Sequence, residues 1–247
     1  MSRTFVISDV HGHLDDLRTV LTEGGLLDGS TWVGEDADLW VLGDLVDRGP
    51  DGAGVIRLVR ALQEQAPEHV HVLLGNHEAL ALGYHLFPHT RFADLWRANG
   101  GRFADQEALD DSDVAWLRGL APMALAGDHL LMHSDTVGYL DWGDSVEEVN
   151  AAVHTLLAKD DPQAHFEVFA RLTDRYDFLG AEGSDAVRRM LATYGGAGVV
   201  HGHSIIGSLT GQPSAEVESP LEYADGLAVA IDGGRYDGGP LLLVELH

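Results

Sequence analysis

The chain has 247 residues, 45% of them hydrophobic and none of them cysteine, so it can bury a full core but cannot form thiolate metal sites, disulfides or a cysteine nucleophile. Its 40 acidic residues against 15 basic ones give a formal charge of −25, with no basic stripe to displace counterions, so nucleic acid is not an expected partner and most of the acid reads as solvated surface. Residues 1–8 enter an apolar run without a basic leader, and no apolar stretch approaches the ~20 residues that span a bilayer, so a soluble, cytoplasmic protein without a membrane partner is expected.

Residues 4–8 (TFVIS) read as a buried strand followed by the polar turn 9–13. Leu14, Leu17, Val20 and Leu21 have helical spacing, which predicts a helix over residues 14–27. Residues 38–42 (DLWVL) form a second expected strand, ending at Gly43-Asp44, and a helix over 52–65 is closed by Pro67. Further strands are expected at 70–74, ending in Gly75-Asn76-His77-Glu78, at 129–132, ending at His133, and at 197–200, ending at His201-Gly202-His203. Residues 227–231 and 241–246 look like a closing hairpin around the glycine-rich turn 233–239. Residues 138–195 are mostly helical and acidic, which suggests a cap-like insertion into a single domain spanning 1–247.

Five polar clusters thus follow five short apolar strands. In open α/β sheets the ligand crevice lies at the carboxyl ends of the strands, so the clusters are expected to form one site. Asp9, His11, Asp44, Asn76, His133 and His203 are oxygen and imidazole donors without sulfur. They suit a pair of divalent cations: manganese first, with iron, zinc or magnesium as the other fitting ions. Asp44, at the middle strand end, is the expected bridge. One ion would take Asp9, His11 and Asp44, the other Asp44, Asn76, His133 and His203. Such ions sit about 3.5–4 Å apart, and a water between them loses a proton near neutral pH and attacks in line.

The strings Ser8-Asp9-Val10-His11-Gly12, Gly43-Asp44-Leu45-Val46-Asp47-Arg48-Gly49, Gly75-Asn76-His77-Glu78, His133-Ser134-Asp135 and Gly202-His203 resemble the ordered signature of the calcineurin-like metallophosphoesterases. More narrowly, they are similar to the phosphoprotein phosphatase branch and its bacterial and phage members. Ser8 stands where that pattern has glycine. The resemblance implies an α/β fold, a metallophosphoesterase-type β-sandwich flanked by helices, with the site at the carboxyl ends of the strands. It also implies His77 as general acid paired with Asp47, which would favour the imidazolium, and Arg48 as a fork for phosphate oxygens beside Asn76 and His77. A second phosphate-binding arginine would be Arg171 or Arg175.

The function so implied is two-metal hydrolysis of phosphomonoesters on a phosphorylated protein or a small molecule. Symmetrical cleavage of diadenosine tetraphosphate is the alternative, though such enzymes carry Asp where this chain has Glu78. A catalytically lapsed metal-binding regulator is a third reading, and the intact acid and bridge residues argue against it. Taken singly, Asp9 could be a helix cap, Asp44 and Asp47 a turn, and His133 a buried core histidine; their recurrence at five strand ends decides against this. His201 reads as a supporting or core histidine, Asp232 as turn chemistry, and Trp96, Trp116 and Trp142 as packing. His69, His71, His85, His89, His129, His154 and His165 read as surface or structural.

Overall fold

The computed structural model describes residues 3–247; Met1 and Ser2, the start of the expected leaderless terminus, lie outside the described residues. The strands in chain order are β1 (Thr4–Ile7), β2 (Leu27–Asp28), β3 (Thr31–Trp32), β4 (Asp38–Val41), β5 (Val70–Val72), β6 (Met123–Ala126), β7 (His129–Met132), β8 (Gly198–His201), β9 (Leu221–Tyr223), β10 (Ala228–Ala230) and β11 (Val244–Leu246). Two sheets form the body, one in the order β11-β1-β4-β5 and the other β6-β7-β8-β10-β9, with β2 and β3 as a separate hairpin. β1, β4 and β5 run parallel, as do β7, β8 and β10, so each sheet gathers its carboxyl ends on one edge. Antiparallel β11, β6 and β9 complete the flanks. Val6, Leu42 and Leu73 from one sheet meet Leu131, Val200 and Ile231 from the other, and this apolar layer holds the two sheets face to face.

The helices are α1 (Leu14–Glu23), α2 (Gly52–Gln65), α3 (Asn76–Leu86), α4 (Phe92–Ala98), α5 (Phe103–Ala108), α6 (Asp111–Arg118), α7 (Val146–Leu157), α8 (Pro162–Thr173), α9 (Gly183–Tyr194) and α10 (Ile206–Thr210). α2 starts where Asp51 accepts a bond from Gly54 N–H at 2.8 Å, and it buries Val55, Ile56, Val59 and Leu62. Across the predicted insertion, α8 buries Ala164, Val168, Phe169 and Leu172, and the larger of these side chains share one apolar cluster with Leu80 and Leu82 of α3.

The structure differs from the sequence expectation in three places. The first helix stops at Glu23 rather than 27, because Gly24 and Gly25 (φ 72°) end it and let Leu27 turn into the β2–β3 hairpin. The expected closing hairpin of 227–231 with 241–246 does not form: β10 pairs with β8 and β9, while β11 pairs with β1 in the other sheet. The glycine-rich segment between them crosses from one sheet to the other, with Gly234 and Gly238 in left-handed conformation (φ 77° and 85°). Finally, the strand expected over 70–74 stops at Val72 and Asn76 opens a helix, so α3 presents its amino-terminal turn just past β5.

Candidate metal and phosphate site

All five predicted clusters converge where the carboxyl ends of β1, β4, β5, β7 and β8 meet. The turns after these strands are stitched to one another. His11 N–H donates to Asp44 O at 2.8 Å, Gly12 N–H to Leu45 O at 2.8 Å and Gly202 N–H to His133 O at 3.0 Å. Turning ligands inward from a strand end forces unusual backbone: Asp9, His11, Asp44, Asp47, Arg48 and His203 all have φ between 44 and 66°. Non-glycine residues rarely adopt that region, and they do so where surrounding bonds over-determine the turn. Glu78 supplies such bonds. Its buried carboxylate accepts from Asp44 N–H at 2.7 Å, Leu45 N–H at 2.8 Å and Gly75 N–H at 3.0 Å, and burial pushes its pKa up to about 7. A side chain on Gly75 would collide with the Asp44 carboxylate and backbone, which is why the loop before α3 has glycine there.

Asp44 lies at the centre. Two close-set donor groups share it: His11–Asp44–His77 and Asp44–His133–His203. Asp44 Oδ2 is 3.5 Å from His11 Nε2, and Oδ1 is 3.3 Å from His133 Nε2. Asn76 Oδ1 lies 2.9 Å from His133 Nε2. Asp9 stands slightly aside, with Oδ1 3.9 Å from His11 Nε2 and Oδ2 held by Ser8 Oγ at 2.5 Å and His203 N–H at 2.8 Å. Ser8 therefore steadies Asp9, at the position where the resembled pattern has glycine.

Each imidazole is oriented through one ring nitrogen. His11 Nδ1 lies 2.9 Å from Val46 O, His133 Nδ1 2.8 Å from Leu42 O and His203 Nε2 3.0 Å from Thr173 O. Donation to a carbonyl leaves the opposite nitrogen as a lone pair facing the site, the arrangement of metal-ligating histidines. Burial holds His11, His133 and His203 below the ordinary imidazole pKa, so they are neutral donors. Burial also raises the Asp44 carboxyl well above its ordinary value, and the negative charge of Asp9 adds to this. Buried carboxylates and neutral imidazoles crowded together are the donor set that a divalent cation stabilises, and the residues fit such ions.

Beside this centre stand Asp47, His77 and Arg48, the residues expected to meet phosphate. Asp47 Oδ2 accepts from His77 Nδ1 at 2.8 Å, and Trp96 Nε1 donates to Asp47 Oδ1 at 3.0 Å. Burial, followed by the charge of Arg48, lowers His77 well below its usual pKa, while burial raises Asp47 to about 7. Desolvation therefore opposes the imidazolium that the pairing alone would favour. Arg48 Nη1 is 3.1 Å from His11 Nε2 and Nη2 is 3.1 Å from His77 Nε2.

Of the two candidate arginines, Arg171 is engaged elsewhere, bonded to Asp141 at 2.5 Å and Gly138 O at 3.4 Å. Arg175 is exposed and lies near enough to the centre that, after burial and neighbouring charges, its own charge helps lower His77, His133 and His203. His201 is buried, with Nδ1 2.8 Å from Gly202 O and Nε2 2.6 Å from Tyr223 Oη.

Sequence reading missed several contributors. Asp232 does form a turn, accepting from Gly234 N–H at 2.8 Å, but it is also buried close enough to Asp9 for their charges to interact, and its Oδ2 has no hydrogen-bond partner. Tyr236, from the crossover, lies 3.8 Å from the Arg48 guanidinium and 5.1 Å from the His11 ring. Trp96 is core packing, as expected, yet it also anchors Asp47. A lone aromatic or aspartate carries no signal for such roles; only the crossover, invisible to local pattern, brings Tyr236 there.

The profile of the calcineurin-like phosphoesterases matches residues 2–207, so the chain belongs to that family. A symmetrical bis(5'-nucleosyl)-tetraphosphatase from Erwinia tasmaniensis is 36% identical over 118 residues, covering 47% of this chain and 37% of that protein. The chain thus spans little more than a third of that relative's length. A cold-active protein-tyrosine phosphatase from a psychrophilic Shewanella superposes with TM-score 0.73 over 100% of this chain and 76% of its own, at 21% identity. A protein serine/threonine phosphatase from Saccharomyces cerevisiae superposes with TM-score 0.63 over 94% of this chain and 67% of its own, at 16% identity. At such identities the likeness is one of fold. Among the described residues no helix is long and apolar enough to cross a membrane.

Proposed function

We propose that this chain is a divalent-metal-dependent phosphoesterase that hydrolyses phosphomonoesters, with Asp9, His11, Asp44, Asn76, His133 and His203 as metal ligands and manganese as the preferred ion. The observation that carries it is Asp44, shared by the donor groups His11–Asp44–His77 and Asp44–His133–His203, with Arg48 reaching His11 and His77 and Asp47 holding His77. Two bound cations would supply Lewis-acid activation of water and neutralise charge on the phosphoryl group. The protein's own groups do the rest. Arg48 and Arg175 grip non-reacting phosphate oxygens, and Asn76 at the amino-terminal turn of α3 adds a donor where the helix dipole favours an anion. Once substrate oxygens take the Arg48 N–H groups, His77 Nε2 is released toward the leaving oxygen. The added negative charge raises its pKa against the burial, so it can deliver a proton there while Asp47 holds Nδ1. The whole chain acts as one domain, with the loop after α8, inside the 138–195 insertion, contributing Arg175.

A second reading is symmetrical cleavage of diadenosine tetraphosphate, favoured by the 36% identity over 118 residues with the Erwinia relative. Glu78 does not discriminate well against it, since its role here is to pin the Asp44 turn rather than to touch substrate. The test compares kcat/KM in manganese for diadenosine tetraphosphate and for phosphoserine, phosphothreonine and phosphotyrosine peptides. A preference above about tenfold for the dinucleotide, equivalent to ~1.4 kcal/mol in transition-state binding, replaces the first reading with the second. No turnover of any phosphoester by metal-loaded protein sinks both.

A further inference from the structure

Asp135, two residues beyond His133, is fully buried and takes no part in the chemistry described above. We propose that it is the positioning residue that sets the loop 174–177, and through it Arg175, against the phosphate site; this rests on the reading of Arg175 as a phosphate ligand. Asp135 Oδ2 accepts from Tyr176 N–H at 3.0 Å, and its backbone carbonyl accepts from Asp177 N–H at 3.1 Å. Its other carboxylate oxygen, Oδ1, accepts from Ser204 Oγ at 2.5 Å. Asp177 completes the clasp in the opposite direction, its Oδ2 accepting from Thr136 Oγ1 at 2.8 Å and Val137 N–H at 2.9 Å.

One carboxylate therefore joins three segments: the end of β7, the loop after α8 and the turn after β8. Two of these carry the ligands His133 and His203, and the third carries Arg175. The loop is also tied to His203 directly, through Thr173 O and the imidazole at 3.0 Å. Such clasps are needed because Tyr176 has φ 74°, a left-handed conformation that a tyrosine does not hold unaided. Arg175 precedes it immediately and is exposed, and the intramolecular bond it makes is a long one, Nε to Thr173 O at 3.4 Å. With so little holding the side chain, the backbone on either side determines where the guanidinium points. Removing the Oδ2 bond should let Tyr176 relax toward ordinary φ and swing Arg175 away. Phosphate affinity would suffer more than the chemical step.

The test combines kinetics with amide exchange, using the full chain. D135A, R175A and the double variant are loaded with manganese and assayed on p-nitrophenyl phosphate, with inorganic phosphate as inhibitor. D135A is expected to raise KM and the phosphate Ki about tenfold while changing kcat less, and to add less than about twofold on the R175A background. Equal multiplication of the defect on both backgrounds overturns the proposal, since it makes Asp135 a structural residue with no route through Arg175. In chelated protein, the Tyr176 amide should exchange about tenfold faster in D135A; an unchanged rate also overturns it. R175A with normal KM and Ki would remove the phosphate-ligand reading and the proposal together. The amide result would still report separately on whether Asp135 holds the loop. Should D135A fail to fold, D135N decides by the same criteria: it keeps the volume and can keep one of the two side-chain bonds, so it should fall between wild type and R175A.

Discussion

His77 is caught between two opposing influences, and the balance predicts its kinetics. The Asp47 carboxylate 2.8 Å away favours a charged ring, whereas complete burial and the Arg48 guanidinium favour a neutral one. A ring held near neutrality by desolvation protonates only when substrate brings negative charge, which is when a leaving alkoxide needs a proton. His77→Asn should therefore cut kcat on an alkyl phosphate by about 100-fold or more and affect p-nitrophenyl phosphate, whose leaving group needs little protonation, far less. Parallel plots of both substrates across pH settle it; equal losses would take His77 out of the acid role. Asp44→Asn acts differently. It removes charge from the carboxylate common to both donor groups while keeping its shape, so activity should vanish together with bound metal in elemental analysis. Full metal content in an inactive Asp44→Asn would contradict the bridge assignment.

Among the elements, α8 carries a pH dependence of its own. His165 is buried against Phe87, with Nε2 3.2 Å from Lys159 O and Nδ1 without a partner. Burial lowers its pKa from 6.5. Between that lowered value and 6.5 the unfolded chain holds a proton that the folded chain does not. Stability is therefore unaffected by this group above about pH 6.5 and is lost as pH falls through that window. His165→Phe should flatten the acid limb: the urea midpoint should drop less between pH 7 and pH 5 than in wild type, with both proteins in chelator so that the site histidines contribute equally. Identical slopes would show that His165 is not responsible.

α8 also marks where local sequence pattern stops being informative. The strands ending in Asp9, Asp44, Asn76, His133 and His203 were readable because each is a short apolar run followed at once by polar donors. Asp44 stands out as the bridge candidate because its strand is expected in the middle, and β4 does lie between β1 and β5. The choice between Arg171 and Arg175 was not readable. It depends on Asp141 capturing one arginine and on Asp135 folding the loop around the other, contacts between residues 30 and 41 apart in sequence. The last two strands misled for the same reason. Apolar runs flanking a glycine-rich turn are the pattern of a hairpin, and only the competition of β8 and β1 for them sends them to different sheets.

For the whole molecule, a formal charge of −25 concentrates part of its acid at one buried spot, where Asp9, Asp44, Glu78 and Asp232 crowd together. Two distinct repulsions follow, one diffuse over the surface and one local to the site, and they respond to different additives. Simple salt screens the first, with a Debye length of about 10 Å at 0.1 M, but barely reaches the second. Divalent metal that binds only the folded chain relieves the second and stabilises it by mass action, by about 2.7 kcal/mol at a hundredfold excess over Kd. For a chain of this size that is a rise of about 5–10 °C in Tm, which keeps climbing with the logarithm of metal concentration. Sodium chloride should raise Tm of chelated wild type and of Asp44→Asn alike, whereas micromolar manganese should raise only the wild type. Thermal scans in matched buffers separate the two. A manganese response of the same size in Asp44→Asn would mean that the ion acts on surface acid, and that the buried carboxylates are not where it binds.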